Sequence, residues 1–293
     1  MHFDVQQIIN GIAVGSIYGA VALALVLIFR STGIINFAQG EMATFCTYIG
    51  WTFIVADRMP YWIGFTVALA FAFLLGVGIE RVVIRPVERA PELAVVIVTL
   101  GLFTIFNSLS LGVWQSLPKP FPTPFKGGAI HVGNLFISRP HLGVLISSLV
   151  VMALIFAFFR FTKVGLAMRA STLNPTAARL MGVNVDRMLM LGWGLAAAVG
   201  GAAGIFTANL ILLDPNMMGG VLIYAFAAAV LGGLTSPVGA VVGGLLVGVL
   251  ESLAGTSAFI GSDLKTPVAF VVIVLVLLIR PAGLFGRTRV SRV

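Results

Sequence analysis

The chain has 293 residues, 59% of them hydrophobic and 10% charged, with a mean hydropathy of +1.08. Soluble domains carry about 25% charged residues, so this composition excludes a soluble globular domain and predicts an all-α polytopic membrane protein. The net charge of +8 points to no nucleic acid, because the basic residues are sorted along the chain by membrane side, as set out below.

Uncharged apolar runs of about 20 residues are long enough to cross a bilayer as helices. The first runs from Ile8 to Phe29. The preceding MHFDVQQ has no Lys or Arg, and the run exceeds the apolar part of a signal peptide, so a retained helix is expected. Gly11, Gly15 and Gly19 recur at every fourth position, on one helical face, where small residues let two backbones approach closely. Gly200 with Gly204, Gly239 with Gly243, and Gly244 with Gly248 repeat the spacing. The pattern fits packing within one subunit and packing between subunits alike.

The run is then broken by STGIINFAQGEM, Ser31 to Met42. Gly33 permits a turn, Asn36 reads as an N-cap, and Gln39 three residues later completes a capping box. A helix is expected from Phe37 to about Ala56, with Glu41 in its first turn, where the helix dipole favours an anion. The single cysteine, Cys46, falls in this run as a small packing residue and allows no internal disulfide.

Further spans are expected near 61–80, 93–114, 141–160, 188–212, 219–234, 237–255 and 266–280. The seventh and eighth spans are short, so the total is eight or nine transmembrane helices. Glu80 adjoins Arg81 and lies near Arg85, which predicts an ion pair at the membrane surface. The prolines of PKPFPTPF, within 115–140, predict an extended, irregular loop. The other long loop is 161–187.

Thirteen of the eighteen Lys and Arg fall on one side of this topology: Arg30, Arg81, Arg85, Arg89, Arg160, Lys163, Arg169, Arg179, Arg187, Arg280, Arg287, Arg289 and Arg292. Arg58, Lys119, Lys126, Arg139 and Lys265 fall on the other. The positive-inside rule makes the first side cytoplasmic. The N-terminus is then outside and the C-terminus inside, which favours nine crossings over eight.

A second interruption, GGLTSPVG (Gly232 to Gly239), has the same logic as the first. Ser236 caps, Pro237 suits the first helical position, and the glycines end the preceding span. Broken helices at membrane depth occur only where protein or a water-filled cavity surrounds them, and paired breaks point to a transport path. Asn36, Gln39, Glu41, Ser236 and Pro237 are therefore candidate pathway residues, against the alternative of two ordinary surface loops. Glu251, inside the eighth span, is a further candidate, against a structural hydrogen bond or a position at the membrane surface.

No lysine follows a glycine, so no Walker A loop exists. His2, His131 and His141 form no metal-binding spacing, and no GxSxG is present. No catalytic residue, metal site or cofactor is predicted.

In ASTLNPTAARLMGVNVDRM (Ala170 to Met188), Asn174 caps, Pro175 follows and Gly182 ends a helix of about two turns, Pro175 to Met181. A helix that short is marginal alone and needs a partner surface, on another subunit or, as the alternative, on its own subunit's membrane face. Ala177, Ala178 and Leu180 are small or apolar in an otherwise polar loop, and Arg179 offers a planar donor fork to a carboxylate on a partner.

This loop and the following GWGLAAAVGGAAGIF resemble the cytoplasmic coupling region of ABC importer permeases of the branched-chain amino acid type. INFAQGEM, GIERVVIRPVER, AFAAAVLGGLTSPVGAVVGGLLVGVLES and LIRPAGLFGR resemble that family in the same order. The resemblance covers nearly the whole chain. It implies a single transmembrane permease domain over 1–293 in the bacterial inner membrane. It also implies a second homologous permease subunit, two cytoplasmic ATP-binding subunits, a periplasmic substrate-binding protein, and a seat for Asn174 to Gly182 in a groove of one ATPase. Branched-chain or related amino acids are the implied cargo, with urea or short amides the alternative within the family. A self-contained secondary transporter or channel is the alternative from another class. It would have only Glu41 and Glu251 for an ion site, and it leaves the docking loop unexplained.

Overall fold

The computed structural model of the chain describes residues 2–88, 90–133, 135–255, 265–280 and 282–286. Helix α1 (His2–Thr32) leads into α2 (Gln39–Trp51), which a π turn carries on to Ala56. Helix α3 (Tyr61–Ile79) runs through a second π turn into the short α4 (Arg85–Val87), and α5 is Glu92–Trp114. After strands β1 (Ile130–Val132) and β2 (Leu135–Ile137) come α6 (Arg139–Phe161), α7 (Lys163–Leu173) and α8 (Pro175–Leu180). The chain continues through α9 (Val185–Leu210), α10 (Met217–Gly232), α11 (Pro237–Ala254) and α12 (Lys265–Ile279).

All of the apolar runs expected to be spans are helical. Among the described residues, six helices are long and apolar enough to cross a membrane, while Met217–Gly232 and Ala269–Ile279 are shorter apolar helices. The basic residues Arg89, Arg287, Arg289 and Arg292 lie outside the described residues.

The glycine repeats are absorbed within the one chain. A Cβ on Gly11 would stand 2.7 Å from the Gly248 carbonyl oxygen, and one on Gly15 the same distance from that of Gly244. Reciprocally, a Cβ on Gly248 would collide with the backbone of Gly15. Gly200 and Gly204 open α9 to Gln39 and Thr47 of α2, and Gly239 and Gly243 open α11 to the backbone of α10. Helices α1, α9 and α10 form the buried centre, with Val21, Ala22, Ala24, Val26, Ala203 and Ala225 all solvent-free. Helices α5, α6 and α12 present apolar side chains outward, as with Leu93, Leu154 and Leu278.

The bundle has two distinguishable ends. At one, the Gln6 amide exchanges hydrogen bonds with the Phe136 backbone at 2.8 and 2.9 Å, Lys119 pairs with Leu213, and the Trp51 indole donates to the Pro120 carbonyl at 3.1 Å. At the other, Arg85 bonds Glu80 at 3.1 Å and the Asp186 carbonyl at 3.2 Å. There, too, the segment after α12 meets the end of α10. The Glu80–Arg85 pair is the expected ion pair, and its five-residue separation spans the π turn. Its acid is 2% exposed.

The proline stretch of the 115–140 loop is irregular apart from a bridge at Lys119, as expected, and a hairpin that was not expected follows it. Antiparallel β1 and β2 pair Ile130 with Ile137 and Val132 with Leu135. Alternating branched residues and a left-handed Gly133 (φ 61°) supply the hairpin. The prolines occupy the preceding stretch only.

Candidate functional site

The first break lies inside the bundle. The chain leaves α1 beside Gly192, where an added Cβ would stand 3.8 Å from Ser31. It resumes as a helix at Gln39, whose amide donates to the Ala196 carbonyl at 3.1 Å, a turn further along α9. Asn36, Ala38, Gln39 and Glu41 are 1%, 0%, 0% and 2% exposed. Polar groups so enclosed need partners, and these come from one another and from neighbouring helices.

The local bonding differs from a capping box. The Asn36 side-chain oxygen accepts from the Ala38 N–H at 3.0 Å, an Asx turn that delays the helix start from Phe37 to Gln39. Its amide donates to the Gln39 side-chain oxygen at 3.2 Å, so Gln39 spans Asn36 and α9 instead of reaching back to the Asn36 backbone.

Glu41 lies in the first turn of α2 as expected, and its partner comes from α5. The Asn107 amide donates to Glu41 Oε2 at 3.2 Å and to Asn216 Oδ1 at 3.0 Å. Asn216 precedes α10, and its backbone N–H donates to Asp214 at 2.8 Å. Asn107 is about 10 Å of helix from Trp114 at the end of α5, so this cluster also lies below the bundle end. The N-termini of α2 and α10 therefore meet at one depth, with Gly40 against Met218 and Leu222, and the two helices run to opposite ends. Asn107, Asp214 and Asn216 are the residues that sequence reasoning missed. Their signal was an Asn within an apolar run, and the DPN turn at 214–216.

Ser236 and Pro237 lie elsewhere. Ser236 caps α11, accepting from the Gly239 N–H at 3.0 Å, and Pro237 takes the first helical turn, as the sequence predicts. This break sits at the bundle end, where Leu284 and Phe285 donate to the carbonyls of Leu231 and Gly232 at 2.8 and 3.1 Å. Glu251 is half-buried and accepts from the Tyr18 hydroxyl at 2.6 Å, while Tyr18 stacks on Tyr224 at 5.1 Å. The structure thus bonds Asn36 to Gln39, ties the nearby Glu41 into a separate network with Asn107 and Asn216, and leaves Ser236, Pro237 and Glu251 apart from both.

The short helix of the 161–187 loop forms as α8. Asn174 accepts from the Ala177 N–H at 3.0 Å. Gly182, at φ 82°, donates to Arg179 and Val183 donates to Ala178, each at 3.0 Å, which is a Schellman ending. Ala178 is buried against Val185 and Leu189 of its own chain. Arg179 meets Asp186 at 3.4 Å, and both are exposed. Leu173, Leu180 and Met181 are 76%, 85% and 82% exposed. The outward surface is therefore Leu180 with its neighbours, not Ala178.

Gln39→Leu tests the first cluster. It removes the Asn36–Gln39 bond and the Gln39 bond to Ala196, leaving the Asn36 amide only its 3.5 Å contact with the Met42 sulfur, a cost of about 1–3 kcal/mol for that buried group. Uptake at matched membrane levels should fall well below wild type, along with thermal stability. Wild-type uptake and melting would remove Gln39 from any role in transport.

Residues 7–279 match the family model described as the permease component of the branched-chain amino acid transport system. The high-affinity branched-chain amino acid transport system permease protein LivH of Escherichia coli is 31% identical, covering 99% of this chain and 98% of its own. BraD of Pseudomonas aeruginosa, of the same description, is 31% identical over 98% and 97%. Among solved structures, a chain of PsaBC from Streptococcus pneumoniae aligns over 96% of this chain and 93% of its own, at 17% identity and a TM-score of 0.49.

Proposed function

The chain belongs to the permease-component family of branched-chain amino acid transport systems, and from that membership we propose how it works. It is a multi-pass membrane subunit of an ATP-driven importer, passing branched-chain or related amino acids while separate subunits bind and hydrolyse ATP. The observation that carries this reading is the family match over 7–279, joined by near-full-length relatives.

The finer reading is nine crossings, N-terminus outside and C-terminus inside, beside a second homologous permease subunit, two ATP-binding subunits and a substrate-binding protein. The cargo would pass by the meeting point of α2 and α10. Buried amides and an acid at two helix starts are the kind of arrangement that broken-helix transporters use at the membrane centre. Asn36, Gln39 and Glu41 would line that path. Ser236 and Pro237, at the bundle end, and Glu251, held by Tyr18, would act in the movement of α11. The outward Leu180 face of α8 would dock on an ATPase subunit.

The test is uptake by vesicles carrying the chain with its partner subunits. Leucine, isoleucine and valine should accumulate only when ATP is inside the compartment that faces the ATPase. ATP-driven uptake of urea without leucine would move the cargo to the family alternative. Uptake by the chain alone, driven by an ion gradient, would overturn the importer reading. Orientation has its own test in a Cys46→Ala background. Lys126→Cys should label from outside intact cells, and Leu173→Cys only after permeabilisation; the opposite pattern inverts the topology.

A further inference from the structure

Two arginines stand without an acid at one end of the bundle. Arg30, in the last turn of α1, and Arg169, on α7, line the same small pocket with Ser31, Phe159 and Thr172. Both are partly buried. Among the described residues no carboxylate pairs with either, and the Nε of Arg169 is enclosed with no hydrogen-bond partner. The nearby hydroxyls do not relieve the charge. Ser31, Ser171 and Thr172 donate to the carbonyls of Ile28, Ala167 and Arg169.

Two like charges held together away from water destabilise one another unless an anion joins them. A guanidinium pair offers planar forks matched to a phosphate. The pocket is only about 20 Å³, room for a headgroup oxygen and not for a hydrocarbon chain. The room for a chain lies next door. A groove of about 280 Å³ runs between α1, α6 and α11, walled by Leu23, Met152, Phe156, Pro237 and Val241. Leu23 of the groove and Leu27 of the pocket are one turn apart on α1, and Phe156 and Phe159 are related in the same way on α6. The apolar groove and the cationic pocket therefore neighbour one another along α1 and α6. Exposed Val238 and Leu149 rim the groove, so it opens sideways to the surface that lipid covers.

We propose that groove and pocket together hold one anionic phospholipid, with an acyl chain along α1, α6 and α11 and the headgroup phosphate against Arg30 and Arg169. The inference stands apart from the choice of cargo and from the orientation in the membrane. Basic pockets between membrane helices are suited to such headgroups, each cation near the surface strengthening the attraction. Neutral phospholipids would lack the net charge that offsets the arginine pair.

The test uses the full-length chain in detergent, given phosphatidylglycerol and phosphatidylethanolamine with identical chains and read by native mass spectrometry. Retention should favour phosphatidylglycerol by about 30-fold. Arg30→Gln with Arg169→Gln should erase that preference while leaving weak retention of both lipids. Ala153→Trp fills the groove without touching either arginine, and should lower retention of both lipids even if the double variant fails to fold. Equal retention of the two lipids, a preference that survives the double variant, or wild-type retention in Ala153→Trp would overturn the proposal. So would inorganic phosphate occupying the pocket while phosphatidylglycerol binds no better than phosphatidylethanolamine, since the source would then be the free ion.

Discussion

Gly248→Leu should leave almost no folded chain in the membrane, and Gly248→Ala should already cost about 1–3 kcal/mol. A Cβ at Gly248 meets the backbone of Gly15 and Gly11, and backbone cannot rotate aside as a side chain can. Any added carbon must therefore push α1 away from α11, along a face where Gly11 and Gly15 already lie against Gly248 and Gly244. The control is Gly101→Ala on α5, where nothing lies within 4 Å of the added carbon. There helix propensity alone acts, and it favours alanine. Thermal unfolding of the purified variants in one detergent reads both. If Gly248→Ala and Gly101→Ala melt together, the close approach of α1 and α11 is wrong.

Leu180→Glu should leave the chain folded and in the membrane but uncouple it. The side chain is 85% exposed, so the substitution costs little within this subunit. If Leu180 anchors an ATPase groove, burying a carboxylate there should cost the assembly about 2 kcal/mol or more, roughly 30-fold in affinity. Substrate-stimulated ATP hydrolysis and uptake should fall together. Leu173→Glu, on the neighbouring outward surface, should act in the same direction. Ala178→Glu is a poorer probe because Ala178 packs on Val185 and Leu189, so it would unseat α8 from its own subunit. Normal assembly, hydrolysis and uptake in Leu180→Glu would remove α8 from coupling.

What the sequence disclosed follows from the range of each interaction. The caps at Asn174 and Ser236 and the helix stop at Gly182 are local, set by residues three or four apart, and all three form where the pattern predicts. Asn36 obeyed a different local rule, because its short side chain turned to Ala38 while Gln39 was drawn to Ala196. The glycine repeats disclosed a face but not its partner, since periodicity carries no information about which helix fills the groove. The partners of Glu41 were out of reach for the same reason: Asn107 and Asn216 come from segments far along the chain. The hairpin was legible in Ile130, Val132, Leu135 and Ile137, and was masked by the prolines before it.

The end of α10 has a consequence for how the protein is made. The carbonyls of Leu231 and Gly232 receive their donors from Leu284 and Phe285, about fifty residues later in synthesis. Chains fold from the N-terminus as they emerge, so α10 and α11 are inserted while those two carbonyls still have no partner. The bundle end beneath Gly233 closes only after α12 has emerged. A nascent chain stopped before residue 282 would hold every long helix and still leave that corner unlatched. Quality-control proteases that probe membrane proteins for open backbone would have their window there.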